Sequence, residues 1–208
     1  QLANNKLNEL PDGVWGNDNI FHLELDNNNI SEIFISIKNA KSLSHLYMSN
    51  NSLSGLHDEI FKLNLINLML DGNNIDHIPD NIDSMKSLRY LRLNNNRNIP
   101  QLPSTFGNLM SVFSIDIRNN SIEFLPEELT KSKTLKYIYL HSNPICKNGW
   151  LDKTSEEMKN LVNAPGAGCV EQCSPYCQEK YLKMPTCLRE CNSFSCEYQN
   201  GVCSESTK

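Results

Sequence analysis

The first 145 residues contain no cysteine; all eight lie beyond that point. No run of eighteen or more apolar residues occurs, so nothing has the length to cross a bilayer as a helix. Basic residues are outnumbered, 19 against 24 acidic, and a formal charge of −5 excludes the broad positive surface that nucleic-acid binding needs. Catalytic signatures are also missing: there is no glycine-rich phosphate loop, no HExxH and no paired-carboxylate pocket that periodicity supports. The five histidines, His22, His45, His57, His77 and His141, are scattered with no Ser or Cys nucleophile set beside them. An enzyme is not expected.

Asparagine, by contrast, is abundant: 29 residues in 208, with 26 leucines. One frame explains much of this excess. It reads Leu2-Asn5-Leu7, Leu25-Asn28-Ile30, Met48-Asn51-Leu53, Leu70-Asn73-Ile75, Leu93-Asn96-Ile99, Ile117-Asn120-Ile122 and Leu140-Asn143-Ile145. Successive frames are 23, 23, 22, 23, 24 and 23 residues apart. Four of them continue into Leu10-Pro11, Ile78-Pro79, Leu102-Pro103 and Leu125-Pro126. Such a period signals stacked supersecondary units that cannot bury their apolar faces singly.

These residues resemble the leucine-rich repeat family, with its pattern LxxLxLxxNxLxxLPxxIxxL, over residues 1 to 145. The resemblance implies an α/β solenoid: a leucine-rich-repeat horseshoe with a parallel concave sheet and about seven coils, the first incomplete. Within each coil the LxL core forms a short strand with alternate side chains inward. A second apolar set (Val14, Ile37, Ile60 with Leu63, Ile82 with Met85, Phe106 with Leu109, Leu129) closes the convex side. The recurring Asn is structural, its amide satisfying backbone groups where the chain turns off the strand. Two departures stand out. An extra residue enters at Asn96-Arg97-Asn98-Ile99, which predicts a bulge, and the second unit lacks its proline, at Ile33-Phe34. Gln1-Leu2 begins inside a coil without a polar cap, which suggests either a fragment of a longer protein or a first coil that packs on a partner.

Beyond the repeats, Asn143-Pro144-Ile145-Cys146 resembles the NPxxC entry of leucine-rich-repeat C-terminal caps, giving a cap over 146–172. Thr154-Ser155-Glu156-Glu157 reads as a Thr-x-x-Glu capping box before a short helix whose Met158, Leu161 and Val162 seal the last coil. Residues 173–203 hold Cys173, Cys177, Cys187, Cys191, Cys196 and Cys203, and 204–208 form a tail. This density without a CxxC pair reads as a disulfide framework from an oxidising compartment, and with no His nearby a zinc site is not expected. Spacing, Cys191-Asn192 and Gly201-x-Cys203 resemble the LNR module of Notch-type receptors. That resemblance implies the pairs Cys173–Cys196, Cys177–Cys191 and Cys187–Cys203, which leaves Cys146 to pair with Cys169. It also implies a calcium site. Asn192 is kept, but Gln199 and Val202 stand where the module has its two closing carboxylates, so neither calcium nor any other cofactor is expected.

In such a horseshoe the residues flanking the inward leucines face the concave side in columns. One runs His22, His45, Asn67, Tyr90, Ser114, Tyr137; the next Glu24, Tyr47, Met69, Arg92, Asp116, Tyr139; the third Asp26, Ser49, Asp71, Asn94, Arg118, His141. Tyr47, Met69, Tyr90, Arg92, Tyr137 and Tyr139 form an amphipathic set, and Tyr and Arg combine contact area with a polar handle. His22, His45 and Glu24 are close enough to suggest a divalent-metal site; two solvated histidines in one column explain them better, and no metal is expected. Asn29, Asn50 and Asn119 open N-x-S sequons, candidate glycosylation sites beside the ladder. The expectation is a non-enzymatic extracellular recognition module, secreted or part of a surface protein, that binds a protein, peptide or glycan on its concave face. The alternative is a structural or adhesive subunit, packing through the first coil and the Cys-rich tail against further copies or other subunits.

Overall fold

The computed structural model describes residues 1–96, 98–162 and 169. The tail cysteine pairs, the LNR-like module and its calcium question lie outside the described residues. Six three-residue strands, β1 (His22–Glu24), β2 (His45–Tyr47), β3 (Asn67–Met69), β4 (Tyr90–Arg92), β5 (Ser114–Asp116) and β6 (Tyr137–Tyr139), form one parallel sheet in chain order. The first coil continues the ladder beyond β1, because Leu2 N–H donates to Glu24 O and Asn4 N–H to Asp26 O. Register is uniform: His22 pairs with His45, His45 with Asn67, and so on to Tyr137. A repeat of 22–24 residues leaves room for little beyond one strand and one tight turn, so the convex side carries five-residue 3-10 turns. They span Ile35–Asn39, Asp58–Lys62, Asp80–Ser84, Ser104–Asn108 and Glu127–Lys131. Pro79, Pro103 and Pro126 precede three of them, where a fixed φ near −65° suits entry and no amide is needed. Of the two turns without proline, His57 caps one, its Nδ1 accepting from Glu59 N–H, while Phe34 leads into the other with no side-chain cap.

The core is a single apolar column between sheet and turns. Leu25, Leu46, Leu68, Leu70, Leu93, Ile117 and Leu140 are fully buried from the strand side, and Ile37, Ile60, Ile82, Phe106 and Leu129 from the turn side. The turns stack tightly enough that Gly107 has no room for a side chain. A Cβ there would sit 2.1 Å from Glu128 O.

Buried asparagines hold the turn off each strand. Asn73 accepts from Leu53 N–H of the preceding coil at 3.0 Å and donates to Met48 O and Leu70 O, each at 2.9 Å. Asn28, Asn51, Asn96 and Asn143 repeat the arrangement. Asn120 departs from it: Nδ2 donates to Leu93 O and Ile117 O, while Oδ1 has no partner among the described residues. The extra residue between Asn96 and Ile99 is the cause. Ser121 N–H reaches Ile99 O, three positions past the ladder Asn of the coil before, where Ser52 and Asn74 reach carbonyls only two past theirs. The surplus residue thus shifts the ladder by one position opposite Asn120.

A second reason for the asparagine excess escaped the sequence reading. The residue just before each ladder Asn is left-handed: Asn4, Asn27, Asn50, Gly72, Asn95, Asn119 and Ser142 have φ of 52° to 67°. Asn and Gly tolerate this region best, which is why five coils carry an Asn-Asn doublet. The doublets themselves were the available signal.

At the far end, a disulfide joins Cys146 to Cys169. After α1 (Asp12–Trp15) in the first coil, two helices precede Cys169: α2 (Trp150–Lys153), which the sequence pattern did not show, and α3 (Glu156–Val162). The capping differs from the box read in sequence. Ser155, one position later than Thr154, is the cap, its Oγ accepting from Met158 N–H at 3.2 Å. Thr154 instead donates to Glu127 Oε1 at 2.9 Å, and Ser155 Oγ lies 3.0 Å from Oε2. Glu127 thus ties the cap to the last convex turn, and buried Met158 and Val162 cover the end of the core. Among the described residues, no helix is long and apolar enough to cross a membrane.

Candidate functional site

Because the sheet is parallel and in register, side chains equivalent in sequence line up across the concave face about 4.8 Å apart, the strand spacing. Alternation within each strand buries the central Leu or Ile and turns its neighbours outward. All six residues singled out in sequence sit on this face: Tyr90 and Arg92 are exposed, Tyr47, Met69, Tyr137 and Tyr139 half-buried. They do not form one continuous strip but fall into two groups.

The first group spans β1 and β2. The rings of His22 and His45 stack with centroids 3.9 Å apart, and Tyr47 stacks on His45 at 6.5 Å. Ser44 Oγ donates to Phe21 O, so the 2.8 Å contact between that oxygen and His45 Nδ1 places the imidazole proton on Nδ1. Burial, and then the proximity of His22, holds His45 below the ordinary histidine range. Among the described residues no three His, Cys, Asp or Glu side chains converge on a possible metal position.

The second group spans β4 to β6 and contains a residue missed from sequence. Phe113, just ahead of β5, packs edge-on between Tyr90 at 6.0 Å and Tyr137 at 5.3 Å, and Tyr137 stacks on Tyr139 at 6.4 Å. The columns counted in sequence began one residue later, which is why Phe113 escaped notice. Arg89 lies over Tyr90 at 5.9 Å and Arg118 over Tyr139 at 5.7 Å.

The face also carries polar contacts, one within the second group and one between the two groups. Arg118 grips Asp116 through two hydrogen bonds, Nε to Oδ1 at 2.8 Å and Nη2 to Oδ2 at 2.6 Å, and both side chains are largely buried. Burial opposes the guanidinium charge, but the Asp116 bonds outweigh it and raise Arg118 above its ordinary range. Asp71 accepts from Ser49 Oγ at 2.9 Å; burial pushes its carboxyl up, with Ser49 and Arg92 pulling the other way. The Arg92 side chain makes no ion pair or hydrogen bond among the described residues.

The candidate glycan positions lie on the rim where the chain leaves the sheet. Asn29 is exposed; Asn50 Nδ2 donates to Asn27 Oδ1 at 3.1 Å and Asn119 Nδ2 to Asn95 Oδ1 at 2.7 Å.

Comparison with known proteins agrees with this architecture. The leucine rich repeat family matches residues 41–97, and a second description of the repeat matches residues 87–109. No curated protein sequence matches. Among solved structures, a leucine-rich-repeat protein of Leptospira interrogans, LIC12759, is 29% identical with a TM-score of 0.71, over 81% of this chain and 41% of that one. The ectodomain of the plant membrane receptor kinase GASSHO1/SCHENGEN3 from Arabidopsis thaliana, in complex with CASPARIAN STRIP INTEGRITY FACTOR 2, is 31% identical with a TM-score of 0.58. It aligns over 65% of this chain and 17% of its own. The plant peptide hormone receptor RGFR1, in complex with RGF2, is 31% identical with a TM-score of 0.52, over 64% and 26%. The chain thus spans less than half the length of each of these proteins. It carries leucine-rich repeats, and its coils and six-stranded parallel sheet form a leucine-rich-repeat solenoid.

Proposed function

We propose that this protein is a non-enzymatic extracellular recognition module that binds a peptide segment of another molecule on its concave face. The observation that carries the reading is the pair of side-chain groups on that face. Tyr47, Tyr90, Tyr137 and Tyr139 turn away from the core, although the buried leucines between them already satisfy the fold. Aromatic rings on rigid strands lose little entropy when a partner covers them. Two structural neighbours, the Arabidopsis ectodomain and RGFR1, were solved with CASPARIAN STRIP INTEGRITY FACTOR 2 and RGF2, which favours a peptide over the other ligand classes. The Cys146–Cys169 disulfide fits an oxidising, extracellular setting. No cofactor takes part: contact area, hydrogen bonds and charge do the work.

The test is site-specific photocrosslinking in the protein's native extracellular material. A photoreactive phenylalanine replaces Tyr139 in one variant and Lys86, on the convex side, in another. One discrete polypeptide adduct from the Tyr139 position and none from Lys86 is the expected result. Equal labelling from both faces, or adducts only with further copies of this chain, would overturn the reading in favour of an assembly subunit.

A further inference from the structure

The charges of the concave face are unevenly distributed. Glu24 and Asp26 lie on and just after β1, beside the His22–His45–Tyr47 stack. Arg89, Arg92 and Lys136 lie at the other end, around the Tyr90–Phe113–Tyr137 cluster, and all three are exposed. Asp26 Oδ1 already accepts from Ser49 N–H at 2.7 Å, and the other acidic residues of the face, Glu24 apart, are held by contacts of their own. Asp116 is bound by Arg118, and Asp71 takes the Ser49 hydroxyl while its burial disfavours ionisation. Arg92 is thus an exposed cation whose side chain makes no hydrogen bond or ion pair among the described residues and acts on Asp71 only from beyond ion-pair distance, while Glu24, whose side chain likewise makes none, is its counterpart.

Resting on the concave-face reading above, we propose that the occupant is an extended, internally dipolar peptide lying across the strands, with a basic side chain over Glu24 and Asp26 and an acidic side chain on Arg92. β1 and β4 are three strand spacings apart, about 14 Å. An extended peptide advances about 3.3 Å per residue, so its two charges stand about four residues apart. At one end Tyr47 offers a ring face to the peptide's cation; at the other, Tyr90, Phe113 and Tyr137 accept an apolar or aromatic side chain beside the acidic one. Opposed charges at the two ends set the direction in which the peptide lies, since reversing it would put like charges together twice.

The experiment pans a phage-displayed random dodecapeptide library against the full, oxidised protein. The expected consensus carries Lys or Arg about four residues from Asp or Glu, with an aromatic or apolar residue near the acidic position. A synthetic consensus peptide should bind at least tenfold more weakly to Glu24→Lys and to Arg92→Gln; the second variant removes the cation without adding a carboxylate beside Asp71. A peptide with its Lys and Asp exchanged should prefer the doubly reversed protein, Glu24→Lys with Arg92→Glu, over the wild type. Peptides that lose affinity on Tyr137→Ala or Tyr139→Ala but show neither charge bias nor sensitivity to Glu24 and Arg92 overturn the dipolar assignment and leave concave-face recognition standing. Peptides indifferent to the tyrosines as well, or failure of the library to enrich any sequence, overturn both.

Discussion

Asn73 and Asn120 occupy equivalent ladder positions, yet the structure requires that their loss have different consequences. Asn73→Ala strands the buried Leu53 N–H, which now donates to Asn73 Oδ1, and removes the bonds to Met48 O and Leu70 O. An orphaned buried amide costs about 1–3 kcal/mol, and each lost donor bond about 0.5–1 kcal/mol, since Asn51 and Asn96 still reach those two carbonyls. The sum is about 2–5 kcal/mol. Asn120→Ala loses the donor bonds to Leu93 O and Ile117 O, which Asn96 and Asn143 also serve, but strands no amide. It also removes an acceptor that has no partner among the described residues, so its cost is about 1–2 kcal/mol. Urea denaturation followed by far-UV circular dichroism and tryptophan fluorescence measures both, and an unchanged m-value licenses the comparison. For a chain of this size the difference of about 2 kcal/mol corresponds to about 4–8 °C in Tm. Equal costs, or a larger cost at Asn120, would refute the assignment of the surplus residue as the cause of the missing bond. A cost below about 1 kcal/mol at Asn73 would refute the ladder's energetic role altogether, because water would then be serving Leu53 N–H.

Gly107→Ala should cost about 2 kcal/mol or more, because its Cβ falls on the Glu128 carbonyl and two stacked turns must separate. Gly13→Ala, in α1 (Asp12–Trp15) with nothing near its added Cβ, should be neutral or stabilising; the same denaturation assay compares the two signs. Removing the cross-link with Cys146→Ala and Cys169→Ala should cost roughly 3 kcal/mol, the loop-closure value for a separation of 23 residues, and differential scanning calorimetry would show it as a lowered Tm. Hydrogen bonds from Thr154 and then Ser155 hold Glu127 below the usual carboxylate range. A depressed carboxyl stabilises the fold above its unfolded pKa, so this contribution is complete above about pH 4.5 and disappears as pH falls through the lower folded value. Hydrogen exchange at α3 should accelerate over that acidic window in the wild type and be less pH-dependent in Glu127→Gln, which keeps only a weaker acceptor.

Much of the fold was legible because a leucine-rich coil encodes burial locally. Leu23, Leu46, Leu68 and Leu91 are inward for the same reason of alternation, and a period near 23 places them in register before any contact is known. The offset at Ile99 was legible too, since one surplus residue in a strict period must shift the ladder; the bulge expected at Arg97 lies outside the described residues. Less visible was the left-handed position before each ladder asparagine. Its cause is the backbone path of the turn, and the Asn-Asn doublets become meaningful only when φ is known. The cap helix was placed, but its capping residue moved by one position because Glu127, 28 residues upstream of Ser155, competes for Thr154.

The amino-acid sequence by itself determined the parallel sheet, the buried asparagine ladder and which side chains occupy the concave columns, because period and alternation are properties of the chain read one coil at a time. Tertiary structure alone decided how those side chains pair across coils. It set Phe113 between Tyr90 and Tyr137, stacked His22 on His45, and joined Arg118 to Asp116, so that among the described residues the Arg92 side chain makes no ion pair. Those outcomes depend on coil separation, rotamers and competition among neighbouring charges, none of which a repeat pattern contains.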